Sequence, residues 1–192
     1  MQLWDRFLKE WPPERVRSMS LEEYTNLNRD DAFVYWLEFG TRALGSIRGG
    51  DAIKFGIYRH SSRDPKSPPE GRIRGAEYTW DPRYGDTELV AFDTVRSRLV
   101  QVIGAAEAGN LAAIDDVDLS RVLKWKVAFL HQDRDDPRIL VLYKKDLLAA
   151  RYKEAFPNAA KAPPSQQHAA LIEHYSWLGD ALDISPRIWL DP

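Results

Sequence analysis

The sequence predicts an α+β fold, a small mostly antiparallel sheet packed with several helices. Three observations carry that expectation. Apolar residues recur at helical spacing in segments near both ends and in the middle of the chain. Shorter segments alternate apolar and polar residues as half-buried strands do. A length of 192 residues with 44% hydrophobic content suits one well-buried core and is short for two.

The elements follow in order. Leu3, Trp4, Phe7, Leu8 and Trp11 share one face of a first helix, which Pro12-Pro13 stops. Ser20 followed by Glu23 is a capping-box pattern that opens a short helix over Leu21 to Asn26. Asp30 or Asp31 can cap a third helix, in which Phe33, Trp36, Leu37, Gly40 and Leu44 form the apolar stripe and Glu38 pairs with Arg42. The glycines of Gly45–Gly50 then turn the chain. Ile53, Phe55 and Ile57 alternate with Lys54, Gly56 and Tyr58 as a strand. From His60 to Gly75 the chain reads as an exposed, mobile loop. A long helix from about Asp86 to Ala108 buries Leu89, Phe92, Val95, Leu99, Val102 and Ala106. Lys124–Leu130 and Ile139–Tyr143 read as two strands of a hairpin joined by a polar loop. Asp146 opens a helix ending near Phe156, and Pro163-Pro164-Ser165 opens a last one carrying Leu171, Ile172, Tyr175 and Leu178 on one side. Residues 1–156 are expected to form a recognition domain, with 157–192 a C-terminal helix and tail packed on it.

Composition narrows the chemistry. The absence of cysteine removes disulfides, thiol catalysis and thiolate metal sites together. No signal peptide and no membrane-length apolar run is visible, so a soluble, cytoplasmic protein with no membrane partner is expected. Gly40 and Gly45 have the glycine spacing of a P-loop, but Ser46 and Ile47 occupy the positions of its Lys and Ser/Thr. His60, His131, His168 and His174 lack metal-ligand spacing, and a solvated loop is the simpler account of Asp115, Asp116 and Asp118. Lys124-Trp125-Lys126 places a lysine where a nuclease motif needs its carboxylate. No catalytic residue, metal or cofactor is therefore assigned.

Charge is more informative. The chain carries a net charge of −2, yet Arg42–Arg74 holds eight Lys or Arg against three acids, a local excess of five. Strand alternation would place Lys54, Tyr58 and His60 on one face with Gly56 open between them. Such a face offers phosphate contacts and a ring on which an unpaired base can stack, at roughly 1–3 kcal/mol per base. A merely solvated lysine and an edge-covering tyrosine are the simpler account of the same residues. Tyr78, Trp80 and Tyr84 either close a base pocket or staple their loop to the core. Trp125 is expected to point inward, with Lys124 and Lys126 together on the opposite face. The candidate nucleic-acid-binding set is thus Arg42, Ser46, Arg48, Lys54, Tyr58, Arg59, Trp80, Tyr84, Lys124 and Lys126.

Several segments carry a family resemblance: Glu23–Leu27, Tyr35–Glu38, Leu44–Gly50, Lys54–Tyr58, Tyr84–Thr87 and Lys124–Leu130. Across roughly Leu3 to Tyr152 the chain resembles the N-terminal domain of AAA+ proteins of the McrB type, the motors of modification-dependent restriction systems. The resemblance implies a module that recognises DNA, often methylated. It also implies a GTP-hydrolysing AAA+ module in the same or a partner chain and a McrC-type nuclease subunit. The Walker motifs of that module do not occur in this chain. A protein-interaction or assembly domain of a defence complex is the alternative, and an enzyme with an unfamiliar site is a third possibility.

Overall fold

The computed structural model describes residues 2–28, 30–49, 52–61 and 70–177. Helix α1 (Leu3–Glu10) buries Phe7 and gives way to α2 (Pro13–Ser18), which starts on a proline whose missing N–H costs nothing at that position. The capping box forms as expected: Ser20 Oγ accepts from the Glu23 amide at 3.2 Å and Glu23 accepts from the Ser20 amide at 2.9 Å. It opens α3 (Leu21–Tyr24). Helix α4 (Phe33–Tyr35) widens into a π-helical turn over Trp36–Gly40 and tightens into a 3-10 turn at Arg42–Leu44. Its N-cap is Ala32, with no side-chain cap.

The expected strand at Ile53–Tyr58 is a correction. Ala52–Phe55 is a 3-10 turn, and β1 covers only Ile57–Arg59. The break lies at Gly56, whose φ of +83° is a left-handed conformation that glycine alone adopts without strain. A Cβ there would stand 2.7 Å from Val95 Cγ2. Strands β2 (Ile73–Arg74) and β3 (Tyr78–Trp80) complete an antiparallel sheet of order β1-β3-β2, with Ile57 and Ile73 both opposite Trp80. The loop expected over His60–Gly75 is corrected at both ends. His60 is buried, its ring nitrogens 3.1 Å from Thr79 Oγ1 and the Ala76 carbonyl, and Ile73–Arg74 is paired. Residues 62–69 of that loop lie outside the described residues.

Helix α5 (Glu88–Glu107) is the long helix the apolar stripe predicts, and Thr87 caps it by accepting from the Val90 amide at 3.3 Å. It packs against the sheet, α2, α6 (Leu111–Asp116) and α7 (Arg121–His131). Phe92, Val95, Leu99, Val102 and Ala106 are buried, whereas Leu89 in the first turn is exposed. The hairpin expected from Lys124 to Tyr143 does not exist. Lys124–Leu130 is the body of α7, and Ile139–Tyr143 is irregular backbone. Gln132 supplies part of what a partner strand would have given. Its Oε1 accepts from the Arg138 and Ile139 amides at 2.8 Å each, and its Nε2 donates to the Ile139 carbonyl at 3.0 Å. A satisfied backbone needs no ladder.

Helices α8 (Lys145–Ala155) and α9 (Pro164–Trp177) pack on each other, and α9 also lies against α6. Leu140, Leu142, Leu148 and Leu171 form a small apolar cluster there, separate from the main core. The His168 ring lies 4.7 Å from that of Trp125. Leu178 of the expected apolar stripe lies outside the described residues. The architecture is α+β, and no helix among the described residues is long and apolar enough to cross a membrane.

Candidate nucleic-acid interface

The candidate cations divide into a buried group and an exposed one. Lys126 is fully buried on α7, and its Nζ donates to the carbonyls of Thr41, Leu44 and Gly45 at 3.0, 2.7 and 2.8 Å. Burial pushes its ammonium down to about 7. Three acceptors oppose that push, because an ammonium can serve all three and a neutral amine has only two N–H groups. Lys124 is likewise buried and donates to the Asp115 and Val117 carbonyls at 2.7 and 2.9 Å, and burial lowers its pKa as well. The expectation that these two lysines extend a basic surface is therefore corrected: both brace backbone turns from inside.

Lys54 is a second correction. Gly56 breaks the strand that would have turned this residue outward. Its Nζ instead pairs with Glu38 at 2.6 Å and donates to the carbonyls of Ile47 and Gly49 at 2.9 and 3.0 Å, leaving 11% of the side chain exposed. Glu38 thus bonds Lys54 and not the expected Arg42. Arg59 is held by Glu77 and Glu22 at 3.2 and 3.6 Å, and its amide donates to Thr25 Oγ1. Tyr58 is partly buried on β1 beside it.

The aromatic residues staple and do not form a pocket. Tyr78, Trp80 and Tyr84 are all buried. Trp80 Nε1 donates to the Gly85 carbonyl at 2.9 Å. The guanidinium groups of Arg83 and Arg98 lie 4.8 and 4.9 Å from the Tyr84 ring, and burial raises its hydroxyl pKa. Arg72 and Arg83 are drawn to buried Asp81 at 3.0 and 3.1 Å. Removing Trp80 or Tyr84 would leave a cavity in the core, so neither is available to a ligand.

What remains of the set is one exposed segment. Arg42 and Arg48 are exposed and make no ion pair among the described residues. Ser46 is partly buried, its Oγ accepting from the Arg48 amide at 3.2 Å. Two residues that the sequence reading did not single out join them. Phe39 is 36% exposed and stacks on Tyr35 with centroids 5.3 Å apart, and the Arg48 guanidinium lies 5.8 Å from the Phe39 ring. Tyr35 and Phe39 are four apart in the sequence, the spacing that brings side chains together on one helical face. That spacing was the available signal. The segment is anchored from beneath by Lys126 and by Tyr143, whose hydroxyl donates to the Leu44 carbonyl at 2.7 Å. The result is a braced turn that exposes Arg42 and Arg48, with Arg48 beside the Phe39 ring that stacks on the partly buried Tyr35.

Among the described residues, no group of three or more His, Asp or Glu is placed to hold a metal ion. A surface depression of about 590 Å³ lies elsewhere, between Gln2, Trp4 and residues 132–135, and is lined by Asp133 and Asp135. Its two acids are unsuited to a polyanion. No family model, no curated protein and no solved structure matches this chain.

Proposed function

We propose that this chain is a DNA-recognition module of a McrB-type restriction or defence system, acting in the cytoplasm on modified DNA. Its motor would be an AAA+ module in the same or a partner chain, and its nuclease a McrC-type subunit. The observation that carries the reading is the pair Arg42 and Arg48, exposed and without an ion pair among the described residues, on a turn pinned by Lys126, with Arg48 beside the Phe39 ring that stacks on Tyr35. Unpaired guanidinium groups neutralise phosphates and release counter-ions, and an exposed ring stacks on a base. The resemblance of Leu44–Gly50 and Tyr35–Glu38 to the McrB type supports the same reading. The test is a binding screen across methylated, hydroxymethylated and plain duplexes, with Arg42→Gln/Arg48→Gln alongside. Binding by the parent that weakens steeply as salt rises, and that the double variant loses at least tenfold, is the expected result. No binding at low salt, or equal binding by the variant, rejects it.

A second reading, a protein-interaction or assembly domain, rests on a different face. Leu89 and Val90 stand 63% and 53% exposed in the first turn of α5. Self-association or partner capture abolished by Leu89→Ser/Val90→Ser and indifferent to DNA would favour it.

A further inference from the structure

The Arg42–Arg48 segment does not end the basic surface. Gly45 takes φ +87°, and a Cβ on it would stand 2.6 Å from the Tyr143 ring and 3.0 Å from the Val141 carbonyl, so the two backbone segments touch. Tyr143 donates to the Leu44 carbonyl at 2.7 Å, and the Lys126 ammonium lies 5.1 Å from the Tyr143 ring while binding the Thr41, Leu44 and Gly45 carbonyls. Arg42 is two residues before Leu44 on one side of this seam. Lys144 and Lys145 follow Tyr143 directly on the other, both exposed and without an ion pair among the described residues. The next acid in the chain, Asp146, acts electrostatically on Arg121 of α7.

We propose that Lys144 and Lys145 are a second phosphate-contacting edge, continuous with Arg42 and Arg48 across the Gly45–Tyr143 seam, so that a duplex backbone is tracked over both. The proposal rests on the DNA-binding reading and deepens it. Four side-chain cations on two abutting segments outline a strip and not a point. Phosphate contacts of this kind add salt-sensitive affinity without sequence preference.

The test measures fluorescence anisotropy of mixed-sequence 20-base-pair duplexes with the 192-residue chain over a salt series. Parent, Lys144→Gln/Lys145→Gln and Arg42→Gln/Arg48→Gln are compared, with circular dichroism confirming that each is folded. The lysine pair should make the slope of log K against log salt shallower by about 2, since each phosphate contact contributes about 0.9. The loss should be the same on unrelated sequences. Lysine variants that match the parent while the arginine pair weakens binding overturn this inference and leave the DNA reading standing. A loss confined to one sequence also overturns it, because that would be base reading. Failure of the parent to bind at low salt overturns both.

Discussion

Three carbonyl oxygens converge on Lys126, and the consequence is a stability requirement at a position that looks like surface charge. Replacing it by Met keeps the stem and removes the donor shared by all three; the Leu44 carbonyl keeps the Tyr143 hydroxyl and the Thr41 carbonyl keeps the Leu44 amide, so the loss falls mainly on the Gly45 carbonyl. An unsatisfied buried acceptor costs about 1–3 kcal/mol, so Lys126→Met should destabilise by about 2 kcal/mol in urea unfolding. A solvated lysine would give a change near zero. Gly45→Ala should cost about 2 kcal/mol by the same measurement, from its positive φ and the Tyr143 ring in the way of its Cβ. Lysine at position 126 was legible as a residue and illegible as a role. Sequence pattern treats a charged side chain as outward-facing, and only the placement of backbone carbonyls 81 to 85 residues away reverses that.

Helix α7 shows the same limit on a larger unit. Lys124-Trp-Lys-Val-Ala-Phe-Leu130 alternates well enough to suit a strand, yet every residue from Leu123 to His131 is buried, so there is no polar face for either period to reveal. Two features with a solvated side were legible: the stripe of α5 is buried at every expected position but Leu89, and the Ser20–Glu23 capping box forms where the sequence placed it. Replacing Ser20 by Ala should lower stability by about 1 kcal/mol, checked by thermal unfolding. The seam between α7 and α9 carries a pH dependence. His168 Nδ1 accepts from the Leu140 amide at 3.2 Å, and the ring faces Trp125, with Arg121 as the nearby charge. Burial first, and Arg121 second, push its pKa down to about 3. The unfolded chain takes up this proton near pH 6.5 and the folded chain does not until about 3. Stability from this group is therefore complete above pH 6.5 and is lost as pH falls between those values. Buried His131, also lowered by desolvation, acts in the same direction. His168→Asn keeps an acceptor and cannot titrate, so its urea midpoint should fall less steeply from pH 6.5 to 3. An unchanged slope would remove His168 from that account.

For the molecule as a whole, net charge says little and placement says most. The excess of five positive charges over Arg42–Arg74 was legible, but the structure spends Lys54, Arg59 and Arg72 on Glu38, Glu22, Glu77 and Asp81. Arg63 and Lys66 lie outside the described residues. Arg42 and Arg48 keep the exposed position the reading needs, Phe39 and Tyr35 lie beside Arg48 locally, and the contact of Gly45 and Leu44 with Tyr143 brings the backbone next to Lys144 and Lys145 against that turn. The central claim is that DNA meets this face. An amide NMR titration of the chain with a low-salt duplex tests it most directly. Shifts should concentrate in residues 39–48 and 143–146 and spare the first turn of α5. Shifts centred on Leu89 and Val90, with residues 39–48 unmoved, would contradict it.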